Sequence, residues 1–114
     1  MNKKILLFDV SKGFSKFFIK KFKDQFEILH LHKSSQLNSC NLQDFHAIFF
    51  IVSNSDDLVH FTYFNSNLKT LFVVSNSALE IELFNMCDNL IVINLLKHKN
   101  DIVADIRKNL KLIL

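Results

Sequence analysis

Five short apolar segments recur along the chain, and they constrain its fold more than any other feature. They lie at residues 5–8, 26–31, 47–52, 71–74 and 90–93 and are rich in β-branched or aromatic side chains. Segments of this length and composition are typical of β-strands. Four of them are apolar without alternation, as expected for strands covered on both faces in a parallel sheet. The second contains Glu27 and His30, which predicts a strand at the edge of the sheet.

Segments with helical spacing separate these strands. The first follows Ser11, a candidate N-cap, and has an apolar stripe made by Phe14, Phe17, Phe18 and Phe22. A second helix is predicted to start near Asn54 or Ser55. Its first turn holds Asp56 and Asp57, which the helix dipole favours there, and its inward side chains are Leu58, Phe61 and Phe64.

Two further helices are predicted towards the end of the chain. Residues 77–80 fit a capping box, from Ser77 to Glu80, and the core positions that follow are Leu79, Leu83 and Met86. The last helix opens at Asn100 and Asp101, with core positions at Ile102, Ile106, Leu110 and Ile113. Residues 34–44 have a poor helical pattern.

The order of these elements, strand then helix repeated five times, predicts one α/β domain over residues 1–114. Short joints between the elements demand right-handed crossovers and a parallel sheet, so three layers are expected, with helices on both faces. A flavodoxin-like, doubly wound sheet with strand order 2-1-3-4-5 places the polar second strand at an edge.

Composition excludes several classes of site. One Gly and no Pro in 114 residues cannot build the glycine-rich loops of the usual nucleotide-binding fingerprints. Cys40 and Cys87 form no CxxC pair, which predicts reduced thiols. The first apolar run stops at Asp9 and is too short for a signal-peptide core, so a cytoplasmic protein without a membrane segment is expected.

With five βα units and a first strand that ends in Phe8-Asp9-Val10, the chain resembles the receiver domains of two-component response regulators. The resemblance implies acidic residues after strand 1 and a phosphoacceptor Asp after strand 3, together binding Mg²⁺. It also implies a Ser or Thr after strand 4 and a Lys after strand 5. Clustered carboxylates hold a hard cation that neutralises phosphoryl oxygens, and the Lys adds a point charge.

Only part of that set is present. Asp9 and Ser75 match, but Val10 stands beside Asp9, Ile51 stands where the acceptor is expected, and Ile93 replaces the Lys. The resemblance therefore points to a degenerate pseudo-receiver, not an enzyme and without metal or cofactor, that acts as a signalling or protein-interaction module. A shifted register that makes Asp56 or Asp57 the acceptor stays open.

Other sites also stay open. His30 and His32 share a strand face and could share a metal, although no third ligand is in view. A small flavodoxin-like ligand-binding protein or enzyme would use the sheet edge near Asp9, Ser11, Ser53 and Ser75. The turn containing Ser11, Gly13 and Ser15 could hold a flavin phosphate. An apolar plug made by Ile51 and Ile93 would favour the interaction module, and a polar cavity the ligand-binding protein.

Charge is distributed unevenly. Residues 1–33 have a net charge of +5, residues 34–96 of −5 and residues 97–114 of +3. In the predicted fold the first and last helices cover the same face of the sheet, so that face is basic. We expect this face to dock an acidic protein partner through Lys12, Lys16, Lys20, Lys23, Arg107, Lys108 and Lys111. Contact between the opposite faces of neighbouring copies would cause self-association that weakens with salt, and a homodimer stays open as well. Nucleic acid is disfavoured because the chain has one Arg.

Overall fold

The five predicted strands form one parallel sheet. The computed structural model describes residues 3–61, 64 and 71–114. The strands are β1 (Lys3–Phe8), β2 (Phe26–Leu31), β3 (Ala47–Val52), β4 (Leu71–Ser75) and β5 (Leu90–Asn94). Their order is β2-β1-β3-β4-β5, and every pair is parallel. The predicted flavodoxin-like order and the edge position of the second strand are confirmed.

Helices and turns flank this sheet. Among the described residues the α-helices include α1 (Gly13–Phe22), α2 (Ala78–Asn85) and α3 (Lys99–Ile113). The α3 helix begins one residue earlier than predicted, after His98. Shorter 3-10 segments span Ser34–Ser39, Leu42–Asp44 and Ser55–His60. Within the described ranges, no helix is both long and apolar enough to cross a membrane.

The link between β2 and β3 contains two 3-10 segments, in agreement with its poor helical pattern. The side chain of Gln36 accepts hydrogen bonds from the backbone N–H groups of His32 and Lys33, at 2.9 and 3.0 Å. The Asn41 side chain likewise accepts from Gln43 N–H. Polar side chains that bond the nearby backbone in this way favour turns over a regular helix.

Phenylalanine rings fill the space between the sheet and the pair α1 and α3. Phe49 of β3 and Phe72 of β4 are stacked, with ring centroids 4.2 Å apart and planes at 11°. Phe18 of α1 packs on Phe49 at 4.8 Å, and Ile106 of α3 is fully buried in the same cluster. The first and last helices therefore cover one face, as the sequence predicts.

The other face is covered by α2, the 3-10 segments and Phe64. The rings of Phe8 and Phe50 lie 5.4 and 5.2 Å from the ring of Phe64, and Leu37 and Leu42 are buried beside them. The predicted helix near residue 54 starts as the Ser55–His60 3-10 segment, and most of its remainder lies outside the described residues. Both faces of the sheet are buried, which explains why β1, β3 and β4 are apolar without alternation.

The orientation of α2 differs from the prediction. Leu79, Leu83 and Met86 were expected in the core, but they are 67%, 56% and 77% exposed. Ile81 and Phe84 point inward instead and are 8% and 9% exposed. At 100° per residue these two sets lie on opposite sides of the helix. Because α2 is apolar on both sides, periodicity alone could not identify its inner face.

The start of α1 also differs from the prediction. Ser11 is not the N-cap; Lys12 occupies that position, with φ 69° and ψ −8°. Within the described ranges the Lys12 side chain makes no capping hydrogen bond. The left-handed region costs a residue with a Cβ about 1–2 kcal/mol. The left-handed backbone that favours glycine is at Lys12, whereas the single glycine of the chain is the next residue, Gly13.

We predict that Phe84→Ala and Leu83→Ala have opposite consequences despite their adjacent positions. Phe84→Ala should lower the free energy of unfolding by about 3–5 kcal/mol, because it empties a buried aromatic site. Leu83→Ala should change it by less than about 0.5 kcal/mol, since the side chain is mostly in solvent. Urea denaturation measures both values, and equal losses would contradict the observed orientation of α2.

We further predict that Lys12→Gly stabilises the protein by about 0.5–1 kcal/mol. The substitution relieves the left-handed strain, and part of that gain is offset by the greater freedom of glycine in the unfolded chain. Lys12→Ala is the matched control, because it removes the same charge and leaves the strain. Thermal unfolding at low and high salt compares the two variants, and equal stabilities would argue against strain at this residue.

Candidate functional site

The carboxyl ends of the strands bring several predicted polar residues together. Asp9 follows β1, Ser53 follows β3 and Ser75 ends β4. Ser53 Oγ donates a hydrogen bond to Ser11 Oγ at 3.0 Å, which links the loops after β3 and β1. This is the edge at which open α/β sheets bind ligands. The structure therefore brings the predicted residues together at this edge. Their chemistry depends on the hydrogen bonds that each side chain already makes.

Asp9 is fully buried, and its carboxylate is held by the start of α1. Ser11 Oγ donates to Asp9 Oδ1 at 2.8 Å, and the Ser15 backbone N–H donates to Oδ2 at 2.9 Å. The Asp9 backbone carbonyl lies 3.0 Å from His30 Nε2, a hydrogen bond in which the ring nitrogen donates. Asp9 therefore caps α1 in place of Ser11, although it stands six residues before Ser15, whose amide it binds.

That arrangement bears on the proposed flavin-phosphate turn. The Ser15 amide at the start of α1 already binds the negative charge of Asp9, so a phosphate bound there would displace this buried carboxylate or meet its repulsion. The Ser15 hydroxyl is itself buried and makes no hydrogen bond among the described residues. The turn is therefore occupied by the chain's own anion.

Asp57 also accepts hydrogen bonds from the backbone, whereas Asp56 is exposed. Asp57 is 5% exposed, and its Oδ2 accepts hydrogen bonds from the N–H groups of Ser53 and Asn54 at 2.8 and 3.2 Å. Asn54 completes the cap by accepting from Asp56 N–H at 2.9 Å. Because β3 ends at Val52, neither acid stands at the strand end, where the resemblance requires the acceptor.

The end of β4 carries a second polar pair. Ser75 is fully buried, and its hydroxyl donates to Glu80 Oε1 at 3.0 Å while accepting from Ser77 N–H at 3.0 Å. The Ser77 side chain accepts from Glu80 N–H at 3.4 Å, which confirms Ser77 as the cap of α2. The capping-box spacing identified Glu80 as a helix residue, but its contact with Ser75 depends on the tertiary fold.

Apolar side chains occupy the positions between these groups. Ile51, Val74 and Ile93 are level with one another across β3, β4 and β5. They are 2%, 0% and 0% exposed and belong to the core under α1 and α3. Val10, beside Asp9, is 43% exposed. Ile51 and Ile93 are therefore buried apolar residues at the two positions where the resemblance implies the acceptor and the Lys.

The two strand histidines are close together, as expected for residues on one strand face. The ring centroids of His30 and His32 are 5.7 Å apart. Desolvation, followed by electrostatic interaction with Lys12, His30 and Lys33, lowers the pKa of His32. In the parts of the chain that the structure describes, no three His, Cys, Asp or Glu residues are grouped so as to hold a metal.

The seven cations of the predicted basic face are exposed, and they lie on or beside α1 and α3. These two helices cover the same side of the sheet. Arg107 of α3 places its guanidinium carbon 5.5 Å from the ring centroid of Phe22, at the end of α1. This cation–π contact joins the two helices.

Comparison with known proteins relates the chain to others through its structure. No family model matches the sequence, and no curated protein matches it. The adenylate cyclase from Rhodopirellula baltica is similar, with a TM-score of 0.65 and 16% identity over 97% of this chain and 89% of that one. The Vibrio cholerae chemotaxis protein CheY4 is similar over the full length of both chains, with a TM-score of 0.63 and 11% identity. At these identities the likeness is one of architecture, and it shows that this chain has a receiver-like, flavodoxin-like fold.

Proposed function

We propose that this protein is a non-catalytic signalling or protein-interaction module that is not regulated by phosphorylation of an Asp. The observation that carries the proposal is the apolar layer of Ile51, Val74 and Ile93 at the sheet edge. A phosphoryl acceptor and its cation need carboxylates directed at one point. Here the next-to-last residues of β3, β4 and β5 are Ile51, Val74 and Ile93, which are apolar.

The hydrogen bonds of the acids support the same proposal. Asp9, Asp57 and Glu80 each accept bonds from the chain's own groups. Phosphorylating or metallating Asp9 or Asp57 would cost the capping bonds that fix α1 or the Ser55–His60 segment, and engaging Glu80 would cost the bond from the Ser75 hydroxyl, each worth about 0.5–2 kcal/mol. These hydrogen bonds account for acids in this region without phosphoryl chemistry.

Two surfaces are suited to contact another protein. The first is the outer stripe of α2, defined as Leu79, Leu83 and Met86. A helix that is apolar on both sides is usually buried on both sides, and here one side faces solvent. Clustered exposed apolar side chains mark interaction sites in soluble proteins.

The second surface is the basic face of α1 and α3. Its seven cations give an electrostatic field that would steer an acidic partner towards the molecule and hold it in a salt-dependent way. The residues from 34 to 96 carry the opposite net charge. Two copies in head-to-tail contact would therefore also be complementary, and self-association of this kind would weaken as salt is added.

Incubation with acetyl phosphate and Mg²⁺ should leave the mass of the protein unchanged. The expected result follows from the apolar strand ends, which lack an acceptor and a cation site. Intact-mass spectrometry is the measurement, and an active receiver domain treated in parallel is the control. Stoichiometric, base-labile labelling would refute the proposal, and comparing Asp9→Asn with Asp57→Asn would then identify the acceptor.

Reversing two charges on the basic face should reduce capture of an acidic protein partner. We expect Lys16→Glu with Lys20→Glu to lower recovery from a soluble extract about tenfold, and added salt to lower wild-type recovery similarly. Lys3→Glu with Lys33→Glu changes the net charge equally at exposed positions outside that face and should preserve recovery. Leu83→Ser reports on the outer stripe of α2. Undiminished recovery with the Lys16/Lys20 variant would exclude the basic face as the docking site.

A further inference from the structure

A cavity of about 370 Å³ lies where the first turns of α1 and α3 approach each other. Its apolar walls are Phe14 and Phe17 of α1, Leu95 after β5 and Ile102 of α3, and its remaining lining residues are Gly13, Lys97 and Lys99. The rings of Phe14 and Phe17 have centroids 6.0 Å apart. This cavity is separate from the hydrogen-bonded residues Asp9, Ser75 and Glu80, none of which lines it.

The glycine in this lining is not explained by the fold. Gly13 does not have a positive φ, so its backbone conformation is open to other residues. A Cβ built on Gly13 would meet no described atom within 4 Å, so close packing does not require glycine either. The only glycine of the chain therefore lines the cavity at a position where open space lies around a built Cβ.

The two charged side chains that line the cavity are both cations, and one acid, Asp101, lies in the first turn of α3 outside that lining. Lys97 is paired with Asp105 at 2.9 Å, whereas Lys99 forms no ion pair among the described residues. The 15-residue helix α3 begins at this point, and within the described ranges its N-cap, His98, provides no side-chain bond to the amides of the first turn. Those amides and the Lys99 ammonium would both stabilise a negative group at the mouth of the cavity.

We propose that this cavity binds a small amphipathic anion, with an aromatic body against the rings of Phe14 and Phe17 and a single carboxylate or sulfonate near Lys99. A volume of about 370 Å³ is within the range of small-ligand sites, which combine apolar walls with a few polar groups. The site does not depend on the proposed interaction function. The protein could dock a partner through α2 or the basic face with this cavity empty or filled.

The test uses two probes that differ by one charged group. The first is 8-anilinonaphthalene-1-sulfonate, whose fluorescence rises in apolar surroundings, and the second is N-phenyl-1-naphthylamine, the same ring system without the sulfonate. We expect the anionic probe to bind with a stoichiometry of one and at least about fivefold more tightly than the neutral probe. Equal affinities would contradict the role given to Lys99 and α3.

Two variants locate the site. Gly13→Leu should abolish binding, because the new side chain enters the open cavity, and Lys99→Glu should weaken it at least about tenfold. Both substitutions suit their helical positions: leucine is a good helix former and Glu is favoured in a first turn. Far-ultraviolet circular dichroism checks that both variants are folded.

Matched controls separate this site from other apolar or basic surfaces. Lys108→Glu reverses an exposed charge elsewhere on α3 and should leave the affinity within about twofold of wild type. Leu83→Ser removes part of the outer stripe of α2 and should also have no effect. In ¹H–¹⁵N spectra the probe should shift the amides of Gly13, Lys99 and Ile102. Loss of binding in Leu83→Ser, or wild-type binding in Gly13→Leu, would overturn the proposal.

Discussion

Burial of both faces of one parallel sheet is the constraint on which the rest of this structure depends. Phenylalanine provides much of that cover: Phe49 stacks on Phe72 at 4.2 Å beneath α1 and α3, while Phe50 packs against Phe64 at 5.2 Å on the other side. Large rings fill the space over the sheet with few residues. This allows short segments, including 3-10 turns between β2 and β3, to cover a sheet that longer helices usually cover.

The same constraint shapes the edge where the strands end. The apolar character of β3 and β5 continues to Ile51 and Ile93, which are buried with the core. The polar groups that remain there satisfy the backbone of the following segments, as Asp9 does for Ser15 and Asp57 does for Ser53 and Asn54. Buried carboxylates need such partners because an unpaired charge in the interior is costly. Capping therefore accounts for the burial of Asp9 and Asp57 in a region where phosphoryl chemistry would require them free.

Sequence reasoning worked best where one pattern had one solution. Continuous apolar runs fixed β1, β3 and β4, and the charges in β2 placed it at an edge. The prediction was wrong at α2 because both sets of apolar residues have the helical spacing of a core face. One set is Leu79, Leu83 and Met86, and the other is Ile81 and Phe84. Sequence reasoning also assigned the α1 cap to Ser11. The left-handed conformation of Lys12, which brings the Ser15 amide to Asp9, has no recognisable signal in the sequence.

The sequence by itself determined the strand number, the strand order and the apolar character of Ile51 and Ile93, because these follow from local composition and from the handedness of βα connections. Tertiary structure alone decided which side of α2 is exposed, that the hydroxyls of Ser53 and Ser11 form a hydrogen bond, and that Gly13 and Lys99 line one cavity. These features join residues far apart in the chain or choose between equivalent faces. The packing of the whole molecule decides between such alternatives, because the local sequence pattern is compatible with each of them.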